Sequence, residues 1–148
     1  QVNDNFGHQV GNAVLRGLAG AMRDQARTCD VVGRVGGDEF LALLPQTDLD
    51  QAEVLADRLR ATVADYRADV GGGGTVDFVR ASFGVAVYPT NGDSMESVIS
   101  AADVAAYEAK KLGGNRACVA KGFVTTEELG EYVVRTVQKD ETGSGDQE

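Results

Sequence analysis

Arg34-Val35-Gly36-Gly37-Asp38-Glu39-Phe40 lies between two apolar runs: Val31 and Val32 lead in, and Phe40-Leu41-Ala42-Leu43-Leu44 leads out to Pro45. Apolar flanks around a Gly-Gly pair predict a β-hairpin, because the glycines supply the positive φ that a two-residue turn needs. The turn then presents Asp38 and Glu39 side by side at the tip of a strand pair. Adjacent carboxylates repel unless a cation sits between them. Hard oxygen donors at this spacing suit Mg²⁺, which is commonly held by one or two carboxylates and substrate phosphates. An ordinary Gly-rich turn with two solvated acids is the competing reading.

Outward from this stretch, the 148 residues fit one domain with a real core, at 43% hydrophobic and 25% charged. The formal charge is −9, from 14 basic and 23 acidic residues, which argues against a nucleic-acid groove. No apolar run approaches the ~20 residues of a membrane span. Cys29 and Cys118 stand apart without metal-ligand spacing and fit core positions in a reducing cytoplasm. The chain opens at Gln1 without Met, so a fragment of a longer protein is expected.

Val10, Ala13, Val14, Leu15, Leu18, Ala19 and Met22 recur at helical spacing, predicting a helix over about 10–26. A second helix is expected from a Thr47 or Asp48 cap to about Tyr66, with Ala52, Leu55, Ala56, Leu59 and Val63 inward. Gly71 to Gly74 reads as a mobile loop, followed by strands at 76–79 and 81–88, the latter stopped by Pro89. A third helix is expected over 95–112, ended by Gly113-Gly114, and a last strand over 115–120. Thr125-Thr126-Glu127-Glu128 can open a short helix reaching Lys139, and the acidic remainder reads as disordered. The fold class is α+β, a mixed central sheet flanked by helices. The organisation is one domain over 1–121 and a tail over 122–148.

Four further groups carry chemistry. Asn3-Asp4-Asn5-Phe6-Gly7-His8-Gln9-Val10-Gly11-Asn12 precedes or opens the first helix, where polar side chains cap or bind a ligand. Arg27-Thr28-Cys29-Asp30 is an R-x-x-D pattern, with a surface ion pair as the plain reading. Arg34 is placed either to meet charge developing on a phosphoryl group or to pair with one of the acids. Ala102-Asp103 through Tyr107, then Ala109-Lys110, forms a helix ending in a cation, which also complements the helix dipole.

Taken in order, these motifs resemble the GGDEF family, the diguanylate cyclases, over Gln1 to about Val119. The first run resembles the family's N-D-x-x-G-H-x-x-G-D, matched by Asn3, Asp4, Gly7, His8 and Gly11. Ser82-Phe83-Gly84-Val85-Ala86 resembles its S-x-G-V-A strand. The resemblance implies a palm-like nucleotide-cyclase fold in which two GTP molecules condense to cyclic di-GMP and pyrophosphate. It implies two Mg²⁺ per site (with Mn²⁺ as a substitute), held by Asp38 and Glu39. The substrate-binding positions become Asn3 and Asn12 on guanine, Leu15 against the base, Gly36 and Gly37 in the turn, and Lys110 on the triphosphate. Arg34 joins Asp38 and Glu39 as catalytic. Arg27 and Asp30 become a product-inhibition site, completed by Arg58 from another subunit.

Catalysis implies a homodimer, because each active site is half of the assembly, and an upstream sensory domain is expected. The family's first metal-binding Asp, with the central strand that carries it, maps ahead of Gln1. Two positions depart from the pattern. Asn12 stands where the family has an Asp that only accepts, and an amide both accepts and donates. Gly114 stands where the family has a phosphate-binding Arg. These departures support an alternative: a catalytically lapsed domain that receives cyclic di-GMP or GTP. A third possibility, motivated by Asn12, is a changed choice of base.

Overall fold

The computed structural model describes residues 7–122. Asn3 and Asp4, the helix expected before Lys139 and the acidic tail lie outside them. The element order is α1 (His8–Arg23), β1 (Val31–Gly36), β2 (Glu39–Leu43), α2 (Leu49–Asp65), β3 (Ala68–Gly71), β4 (Gly74–Val76), β5 (Phe83–Val85), α3 (Met95–Lys111) and β6 (Ala117–Val119). The class is α+β, as the sequence predicts. The strands form three two-stranded sheets, β1-β2, β3-β4 and β5-β6, rather than one continuous sheet. No strand among the described residues hydrogen-bonds between the pairs.

The central hairpin forms one residue out of the expected register. Gly36 pairs with Glu39, so the turn residues are Gly37 and Asp38, not Gly36 and Gly37. Only Gly37 needs positive φ, at 45°. The register slips between Arg34 and Gly36, which leaves Val35 as an extra residue on β1. Such a bulge bends its strand and re-aims the side chains around it.

α2 behaves as its periodicity predicts. Asp48 and Gln51 form a reciprocal capping box, and Ala52, Leu55, Ala56, Leu59 and Val63 are all buried. Leu55, Leu59 and Val63 join Val14, Leu18 and Met22 of α1, Val32 of β1 and Val76 of β4 in the main core. Ala52 and Ala56 turn instead to Val85 of β5. One amphipathic helix therefore knits both halves together. Gly17 of α1 sits against the hydroxyl of Tyr66, where a Cβ would collide.

α1 ends at Arg23 rather than Ala26, as Gln25 and Ala26 close tighter turns onto Met22 and Arg23. Gly71 to Gly74 is not an open loop but a hairpin, with Gly71 facing Gly74. Four successive glycines allow it, since Gly71, Gly72 and Gly73 all have positive φ.

α3 buries Ser97, Ala101, Ala105 and Ala109, a row of small residues, rather than the larger Val98, Ile99, Val104 and Tyr107. The cause is Gly84. A Cβ there would run into the Ala102 carbonyl oxygen and the Ala106 amide, so strand and helix meet backbone to backbone. β5 then pairs in parallel with β6, Phe83 with Ala117 through Val85 with Val119. The expected strand over 81–88 is shorter because the amide of buried Asn91 donates to the Val87 carbonyl. The Asn91 side chain accepts from Val87 N at 2.8 Å and donates to the Ala120 and Gly122 carbonyls. The Tyr88–Pro89 bond is cis.

Candidate active site

Asp38 occupies the second turn position and Glu39 opens β2, both exposed. A Cβ added at Gly36 or Gly37 would meet nothing within 4 Å, so the backbone of the turn is open to a ligand. Arg34 pairs with neither acid. Its Nε donates to the Gly37 carbonyl at 2.6 Å, and its Nη1 reaches Asn12 Oδ1 at 3.5 Å. The hairpin tip and α1 are thus joined through one guanidinium. Asn12 and Leu15 lie a turn apart on α1, Asn12 exposed and Leu15 half-buried. No side chain caps the start of α1, whose N-cap is Gly7, so capping does not occupy the described polar residues there.

Lys110 stands exposed in the last turn of α3. Asp103, two turns earlier, connects it electrically to the hairpin. Desolvation first, then the charge of Glu39, push the Asp103 carboxyl above the ordinary carboxylate range, while Lys110 pulls it the other way. Glu39 on the hairpin and Lys110 on α3 therefore both act on Asp103 through charge. Sequence reasoning quoted Asp103 within a motif and gave it no task. Its signal was available only as an acid on the Lys110 helix.

Gly113 and Gly114 complete a Schellman cap, their amides donating to the Lys110 and Ala109 carbonyls. Gly114 adopts φ 70°, a conformation an arginine would hold only with strain. Arg116 Nε folds back to the Gly114 carbonyl at 3.4 Å.

Among the described residues no three His, Cys, Asp or Glu side chains cluster to hold a metal. Two hard carboxylates at an exposed tip fit a different arrangement, in which substrate phosphates and water complete the shell of a Mg²⁺.

Arg27, Asp30 and Arg58 line one cavity of about 530 Å³ on a separate part of the surface. Arg27 and Asp30 make no side-chain ion pair. Asp30 Oδ2 accepts from the Arg27 amide at 2.8 Å, which leaves the Arg27 guanidinium without a partner among the described residues. Arg58 Nη2 donates to the Gln25 carbonyl at 3.0 Å. Arg58 shares this cavity with Arg27 and Asp30 of its own chain. Gln25, Asp50 and Gln51 also line it, and nothing in their sequence context signalled that.

The profile of the family described as "Diguanylate cyclase, GGDEF domain" matches residues 1–116. The chain belongs to the GGDEF family. The diguanylate cyclase DgcP of Pseudomonas aeruginosa is 38% identical over 120 residues, 81% of this chain and 17% of that protein. The crystal structure of the GGDEF domain of YfiN from P. aeruginosa superposes with TM-score 0.74 at 33% identity, covering 81% of this chain and 74% of the other. The GGDEF domain of DgcB from Caulobacter crescentus, in complex with c-di-GMP, gives TM-score 0.72 at 29% identity, covering 80% and 69%. The chain spans 10% to 32% of the length of the first curated relatives it matches. Among the described residues, no helix of this GGDEF domain is long and apolar enough to cross a membrane.

Proposed function

We propose that this GGDEF domain is a diguanylate cyclase, condensing two GTP into cyclic di-GMP and pyrophosphate. The observation that carries the reading is the Gly37-Asp38 turn. It presents Asp38 and Glu39 in the open, next to Asn12 through Arg34 and within electrostatic reach of the Lys110 helix through Asp103. Asn12 and Leu15, with Asn3 ahead of them, take the base, and the open backbone of Gly36 and Gly37 admits the phosphates. Lys110 neutralises the triphosphate. Asp38 and Glu39 hold divalent metal, two ions per site in the full reading. Divalent metal held by Asp38 and Glu39 would supply activation of a 3′-hydroxyl and stabilisation of charge on the leaving pyrophosphate. One domain holds one GTP, so a two-fold dimer is needed, with control coming from the rest of a longer cytoplasmic or membrane-anchored protein.

Arg27, Asp30 and Arg58 form the product-inhibition site. The Arg27 guanidinium, without a partner among the described residues, and the shared cavity support it, since an arginine fork suits phosphate and guanine edges.

A second reading is favoured by Asn12 and by the Schellman cap at Gly114, which leaves no side chain for a phosphate contact there. On that reading the domain is a lapsed cyclase that senses cyclic di-GMP or GTP. Incubating the full-length protein with GTP and Mg²⁺, and titrating it with cyclic di-GMP by calorimetry, separates the two. Turnover establishes the cyclase. Binding without turnover establishes the receptor.

A further inference from the structure

We infer that Arg34 is a positioning residue that couples nucleotide binding on α1 to the acid-bearing turn. The inference rests on the cyclase reading for the identity of the ligand. Three features of the geometry support it. The 2.6 Å bond from Nε to the Gly37 carbonyl fixes the guanidinium plane against the turn itself, one residue before Asp38. With the plane fixed, Nη1 points across to Asn12 Oδ1, on a different element 22 residues away in sequence. The bulge at Val35 lies immediately beside Arg34 and gives β1 the bend that aims this side chain along the hairpin tip.

The consequence for the ligand follows from donor and acceptor counting. Asn12 Oδ1 accepts from Arg34 with one of its two lone pairs, so the second lone pair and the amino group, held in an orientation set by Arg34, are the parts left for a nucleotide. Moving the turn moves the guanidinium, and moving the guanidinium releases Asn12. A base seated beside Asn12 therefore favours one placement of Asp38 and Glu39. A lysine cannot replace this bridge, because it lacks the rigid fork that reaches two acceptors in one plane.

The test is a double-mutant cycle in the full-length protein: Arg34→Met, Asn12→Ala and the pair, with Arg34→Lys as the conservative variant. GTP affinity is read by calorimetry in Ca²⁺, a cation with the same oxygen preference, so that the measurement needs no turnover. KM and kcat are read separately in Mg²⁺.

Arg34→Met is expected to weaken GTP binding about fivefold, the scale of one exposed hydrogen-bond bridge, and to raise KM more than it lowers kcat. Arg34→Lys is expected not to rescue it. In the Arg34→Met background, Asn12→Ala should cost at least about threefold less affinity than in the wild type. Additive effects overturn the bridge. So does a loss confined to kcat, which would make Arg34 a cation for the reacting phosphate. Coupled binding without any cyclic di-GMP keeps the bridge and removes the cyclase reading. Absence of GTP binding by the wild type removes both.

Discussion

Asp38 and Glu39 lie in the open, so their removal disturbs little packing. Asp38→Ala or Glu39→Ala is expected to abolish cyclic di-GMP synthesis in the full-length protein while shifting stability by no more than about 0.5 kcal/mol. Chromatographic product assays beside denaturant melts check it, and retained turnover would remove the metal role. Asp103 gives a pH prediction. Its folded pKa is raised, so the native state holds this proton after the unfolded chain has released it. The stability it contributes is present below the ordinary value of 3.8 and is lost as pH rises through the folded value. Above that window the ionised carboxylate is destabilising, by desolvation and by Glu39. Asp103→Asn should therefore stabilise the metal-free domain at neutral pH, by less than about 1 kcal/mol because the side chain, though partly desolvated, still reaches solvent that screens its charge. The difference should shrink towards pH 4, and an Asn variant less stable than wild type at neutral pH would contradict it. The residues of the turn were legible by type: two glycines and two acids between apolar runs. That Gly37-Asp38 and not Gly36-Gly37 forms the turn depends on the bulge at Val35. A bulge is decided by strand pairing, which local letters do not encode.

The elements differ in how openly the sequence declares them. α2 carries its own cap, its own apolar stripe and its own end, and every inward residue expected of it is buried. α3 was placed correctly along the chain, but its apolar content left open which side chains face inward. Gly84 brings the strand so close to the helix backbone at Ala102 and Ala106 that Ala101, Ala105 and Ala109 are buried, while Val98, Ile99, Val104 and Tyr107 are half-buried. Gly84→Val is accordingly expected to be severe. It cannot be accommodated without displacing α3 backbone, and a loss of about 3 kcal/mol or more in urea melts is expected. A change below 1 kcal/mol would mean that helix and strand separate easily. The glycine run at 71–74 shows the converse error. Glycines signalled a loop, yet the same positive φ that opens a loop also closes a tight hairpin.

At the scale of the whole molecule, the two sites are carried by different sets of elements: hairpin, α1 and α3 for the acids, and the α1–β1 connector with α2 for the arginine cavity. Separate sites permit separate loss. Arg27→Ala is expected to relieve inhibition by added cyclic di-GMP at least tenfold in half-inhibitory concentration while initial rates stay within about twofold, since a charge-assisted fork is removed away from the acids. An unchanged inhibition curve would return Arg27 to a structural role. Assembly makes its own prediction: specific activity should rise with protein concentration in the dimerisation range, because one domain carries half a site. A rate per domain independent of concentration, measured across the monomer–dimer transition by light scattering, would contradict it.

The sequence by itself determined the family, the three helices and the presence of an acid-bearing hairpin, because these rest on local periodicity, turn chemistry and ordered motifs. Only the tertiary structure decided that Arg34 reaches Asn12, that Asp103 feels the charges of both Glu39 and Lys110, and that Arg58 shares a cavity with Arg27. Each of these joins residues from different elements. Which side chains meet across elements is set by packing distance, by a bulge at Val35 and by the missing Cβ of Gly84, none of which a one-dimensional pattern contains.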